Sequence, residues 1–94
     1  SLLRQLYNAL PPEKQQALLI AGLPEKFSLQ RLASLLDEMP DGAGLSDWLL
    51  SLPILQSLPT GWRFHEELRR ELLAIARSEA PDMMHRTLEK LALE

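Results

Sequence analysis

The apolar positions of this chain fall into blocks at helical spacing, punctuated by proline and glycine. Leu2, Leu3, Leu6 and Leu10 recur at helical spacing and stop at Pro11-Pro12, predicting a short first helix. Pro12 suits the first turn of a second helix, where a missing N–H costs nothing, and Glu13 beside it favours the positive end of the helix dipole. That helix continues through Ala17, Leu18 and Ile20 to about Gly22-Leu23-Pro24. Ser28 is a good N-cap for a third helix with Leu29, Leu32, Ala33, Leu35 and Leu36 on one broad face. Met39-Pro40-Asp41-Gly42 reads as a turn. A fourth helix, from about Leu45 to Leu52, is almost wholly apolar in Trp48, Leu49, Leu50 and Leu52.

The pattern then changes period. Ile54 to Leu58 is a short run between Pro53 and Pro59, and Trp62-Arg63-Phe64-His65 alternates large apolar with polar side chains. Two such runs around Pro59-Thr60-Gly61 predict a β-hairpin. Helical spacing returns from Glu66 to about Ser78, with Leu68, Leu72, Leu73, Ile75 and Ala76 inward. Ala80-Pro81-Asp82 interrupts it, and a last helix from Asp82 carries Met84, Leu88, Leu91 and Ala92. Three consecutive helices, a hairpin and a further helix follow the winged-helix plan. The expected fold is therefore mainly α and winged-helix-like, a three-helix core plus a short hairpin, with flanking helices. Residues 1–78 are assigned to the winged-helix-like domain, and 79–94 to a C-terminal helix that would open a helical-repeat region.

Composition supports this reading. Of the 94 residues 46% are hydrophobic and only 5% aromatic, so the core must be mainly Leu and Ala, which favour helix. Val is absent and Ile is confined to Ile20, Ile54 and Ile75, which argues against an extensive sheet. With no cysteine there are no disulfides or thiolate metal sites, and a reducing, cytoplasmic location fits. No apolar run approaches the roughly 20 residues that span a bilayer, and the first residues lack the apolar stretch of a signal peptide.

Charge narrows the function. A net charge of −3 and a pI near 5.3 argue against a general polyanion binder. In helix-turn-helix proteins the last helix before the wing enters the major groove and needs Arg, Lys, Asn or Gln at its exposed positions. From Leu32 through Trp62 there is no Lys or Arg, whereas Asp37, Glu38, Asp41 and Asp47 all lie there. Direct nucleic-acid binding is disfavoured on that ground. The basic residues Arg63, Arg69, Arg70, Arg77 and Arg86 follow later, and Glu66, Glu67 and Glu71 stand at spacings that offset several of them on a solvated face.

The inventory for catalysis is poor. His65 and His85 lack zinc-ligand spacing, none of the serines sits in a Gly-x-Ser-x-Gly turn, and there is no phosphate loop. An enzyme is not expected, nor a metal or a cofactor bound by the domain alone.

The most informative segment is Trp62-Arg63-Phe64-His65-Glu66-Glu67-Leu68-Arg69-Arg70-Glu71-Leu72-Leu73. It resembles the winged-helix segment of the STAND regulatory ATPases, the class of the maltose-regulon activator type and the plant NB-ARC immune receptors. In that class a hairpin strand ends in a Met-His-Asp-like or aromatic-His-x-Leu-x-Arg pattern that opens a helix. Phe64-His65-Glu66 would occupy the motif, with Leu68, Arg69 and Leu72 in step, although Phe64 and Glu66 replace the Met and Asp of the plant form. Upstream, Leu45-Ser46-Asp47-Trp48-Leu49 leading to Pro53-Ile54-Leu55 resembles the family's last helix and first wing strand. Downstream, Arg77-Ser78-Glu79-Ala80-Pro81 and Met84-His85-Arg86 resemble the junction to helical repeats. The resemblance implies that His65 contacts the β-phosphate of an ADP held by a neighbouring domain, and so closes the winged helix in an off state. ATP and ADP would then be cofactors of the parent protein, and the partners would be its nucleotide-binding and helical-repeat domains.

Plainer readings of the same residues stand beside this one. His65 at a strand-to-helix junction is equally a structural residue or helix cap. Trp62, Phe64 and Trp48 read as core, and His85 as a surface residue of the last helix. The Met84, Leu88, Leu91 stripe is either core or an edge awaiting a next helix, and an exposed edge of that kind drives self-association. A protein-interaction or scaffolding module without nucleotide is the alternative function, with a DNA-binding winged helix third.

Overall fold

A computed structural model describes residues 1–93. The elements run α1 (Leu2–Ala9), α2 (Pro12–Ala21), α3 (Leu29–Leu35), α4 (Gly42–Leu50), β1 (Leu55–Leu58), β2 (Gly61–Phe64), α5 (Glu66–Glu79) and α6 (Pro81–Ala92). Local chemistry starts most of the helices. The hydroxyls of Ser1 and Ser28 accept from the N–H groups of Arg4 and Arg31 at 3.2 and 3.1 Å, and Pro12 and Pro81 occupy first turns.

Helix α2 is the centre of the molecule. Ala17 through Ala21 are buried on every side, and α3, α4, α5 and α6 all pack on it. Leu18, Leu19, Leu32, Leu36, Leu49 and Leu72 are its largest sealed neighbours and members. At the end of α2, a Cβ on Gly22 would lie 2.8 Å from Leu72 Cδ1, so the chain passes α5 at close range.

The hairpin pairs antiparallel with Leu55 opposite Phe64, Gln56 opposite Arg63, Ser57 opposite Trp62 and Leu58 opposite Gly61. It is not freestanding. Phe27, between α2 and α3, forms a bridge with Trp62: each backbone N–H donates to the other's carbonyl, at 2.9 and 2.8 Å. The Phe27 and Phe64 rings meet at 6.4 Å, both buried. The fold is thus mainly α and winged-helix-like, with the hairpin stitched to the helical core.

Several details differ from the sequence reading. Helix α4 begins at Gly42, earlier than Leu45, because the Asp41 carboxylate accepts from the Gly44 N–H at 3.3 Å and caps the helix inside the expected turn. On α3, Leu32 and Leu35 are buried but Leu29 and Ala33 are exposed, so the buried face is narrower than expected. On α6 the buried residues are Met83 and Thr87, whereas Leu88 is 43% exposed and Ala92 is exposed. Packing on α2 and α5 selects that face, and Lys90, 3.2 Å from Asp37, holds the far end of the helix. Met83 therefore joins the same core as the preceding helices. Trp48 is only half-buried, with the Lys14 ammonium 5.1 Å from its ring centre.

Two expectations follow from these contacts. Gly61 has φ +153°, and a Cβ there would collide with the Phe27 carbonyl. Gly61→Ala should cost about 1–3 kcal/mol in urea denaturation, with faster amide exchange at Phe27 and Trp62 while α2 stays protected. Tyr7 of α1 is buried. Burial first, and the Glu79 carboxylate second, raise its phenol above the ordinary 10.0 against the opposing pull of Arg4. The neutral phenol is favoured in the fold, so this contribution is complete below that value and declines as pH rises through it. Stability measured across pH 10.0 should fall, and Tyr7→Phe should lose that part of the slope.

Candidate functional site

Strand alternation builds the site. Along β2, Trp62 and Phe64 face the core, so Arg63 points to the opposite face. The backbone stays extended through His65, with φ −52° and ψ 143°, so its imidazole follows Arg63 on the outer side. The pair opens onto a cleft of about 430 Å³ lined by Glu25, Gln56, Arg63, Phe64, His65, Glu66 and Arg69.

His65 occupies the N-cap position of α5, but its side chain makes no capping hydrogen bond. Its carbonyl accepts from the Arg69 N–H at 2.9 Å, which is the ordinary first turn of the helix. The ring is solvent-exposed. The helix-cap role is therefore not realised, and the imidazole faces the cleft.

The floor of the cleft depends on Arg69. Its Nη2 donates to the Leu23 carbonyl at 2.6 Å and its Nε to the Pro24 carbonyl at 3.2 Å. This planar fork fixes the α2–α3 connection, which carries Glu25 of the cleft wall and leads on to the Phe27 bridge. Arg69 is thus a structural clamp and not the solvated charge that helical spacing suggests. Arg70 behaves as expected, 3.5 Å from Glu66 one turn away. Across the wing, the Arg63 Nε donates to Gln56 Oε1 at 2.9 Å, as the strand register requires.

The other sequence candidates lie apart from this cleft. His85 is exposed on α6 with its Nε2 3.0 Å from Glu89. The residues of α4 exposed at its surface, Ala43 and Asp47, followed by Ser51 at its end, offer no cation to a phosphate backbone. No helix among the described residues is long and apolar enough to cross a membrane.

Gln56 and Glu25 are the cleft residues that sequence reasoning missed. Gln56 was recoverable once the turn fixed the hairpin register, since that places it opposite Arg63. Glu25 carried no local signal. Comparison with protein-family models, with curated proteins and with solved structures finds no match to this chain.

Removing the clamp should be measurable. Arg69→Ala should cost about 1–3 kcal/mol, the range for losing hydrogen bonds from a charged donor. Amide exchange should accelerate at residues 22–27, and helical circular dichroism should persist at low temperature. Unchanged exchange in that loop would refute the clamp.

Proposed function

We propose that this chain is the non-catalytic winged-helix module of a STAND-type regulator controlled by ATP and ADP, acting in signalling or transcription control. It packs on a nucleotide-binding domain and holds the off state. The observation that carries the reading is His65: an exposed imidazole, free of any capping bond, at the junction of wing and helix and facing an open cleft. An imidazole N–H donates to a phosphate oxygen, and more strongly when protonated. The nucleotide belongs to the neighbouring domain, and the chain by itself holds it only weakly. The setting proposed is cytoplasmic.

The exposed leucines of the last helix fit the same scheme. Leu88 on α6 is 43% exposed and Leu93 just beyond its end is 89% exposed, as expected of a helix that meets a following helical-repeat domain or a second copy. They equally favour the second reading, a protein-interaction module without nucleotide. Helix α4 is a poor docking element for that purpose, because Leu45 and Leu49 are buried. Its exposed Ala43 and Asp47 also weigh against DNA recognition.

Joined to its nucleotide-binding domain, the His65→Ala variant should release ADP roughly 10- to 100-fold faster, the equivalent of one charged hydrogen bond, and show raised basal activity. ADP release and resting activity equal to wild type would count against the nucleotide reading. A parent gene with no upstream phosphate-loop motif would favour the interaction module.

A further inference from the structure

Resting on the reading of His65 above, we infer that Arg63 is a second contact for the same diphosphate, oriented by Gln56. Three observations carry it. Arg63 and His65 stand two residues apart on an extended segment, hence on one face, and both line the cleft. The two arginines of the cleft are not equivalent: Arg69 is bonded through Nη2 and Nε to the Leu23 and Pro24 carbonyls. Arg63 is bonded, among the described residues, only through Nε to Gln56 Oε1 at 2.9 Å. That bond fixes the guanidinium plane and leaves its Nη edge for an anion, the geometry in which arginine recognises phosphate oxygens in pairs.

The surrounding carboxylates sharpen the assignment. Glu25 and Glu66 also line the cleft, and Glu66 lies 3.5 Å from Arg70. A phosphate is repelled from those walls and attracted to the wing, where Arg63 and His65 are neighbours. The ligand class is a diphosphate, held at its oxygens with no demand on base or sugar.

The test is side-chain NMR of the chain at low ionic strength, where exposed charges are least screened. The Arg63 Nε–H and His65 ring signals are followed during titration with sodium pyrophosphate and, separately, with ADP. Both signals should move together and saturate in the millimolar range. Arg63→Gln should weaken binding of either ligand about tenfold, the effect of losing one charge-assisted pair. Gln56→Ala should weaken it by a smaller factor, since it only orients the guanidinium. No saturable shift in the wild type overturns the inference, as does a loss confined to ADP, which would assign Arg63 to the nucleoside. Arg63→Gln titrating like wild type while His65→Ala weakens binding overturns the role of Arg63 alone. If His65→Ala binds like wild type, the reading of His65 itself fails, and this inference with it.

Discussion

A four-residue hairpin strand has no stable place in solution by itself; here its position depends on the two backbone hydrogen bonds between Phe27 and Trp62. They join the connection after α2 to the second strand of the wing, and they satisfy polar groups that would otherwise face the apolar junction. Phe27 and Phe64 then close the gap between ribbon and core as a tilted ring pair. Everything on the outer side of the ribbon inherits its position from this seam, since a strand that shows Trp62 and Phe64 to the core must show Arg63 to solvent.

The second fixed point is the Arg69 fork on the Leu23 and Pro24 carbonyls. The seam and the fork bind the same short connection from opposite ends, so α2, the wing and the start of α5 form one frame. That frame fixes the backbone carrying the exposed Arg63 and His65 at the junction of wing and helix. Gln56 adds orientation within the wing. The cleft is ordered by its backbone and not by burial of its polar groups, and it is open to solvent.

The mid-chain helices contribute differently. Helix α4 occupies the place of a recognition helix but gives its large apolar residues to the core and keeps an anionic Asp47 outside. The last helix uses Met83 and Thr87 to reach the core and leaves Leu88 outside. One surface thus presents an anion and the other an uncovered leucine.

The order of helices and the hairpin was legible in the sequence, because proline, serine caps and the switch from helical to alternating spacing are local signals. So was the place of His65, between an alternating segment and a helical one. The phase of α6 was not: Met83 and Met84 are equally apolar, and only contact with α2 and α5 chooses between them. Nor was the clamp of Arg69, since its acceptors are carbonyls remote in sequence and every residue has a carbonyl. Patterning determines which face of each element is apolar. It carries no record of which distant backbone atom a charged side chain will meet, and that was decided by the packing of α5 against the end of α2.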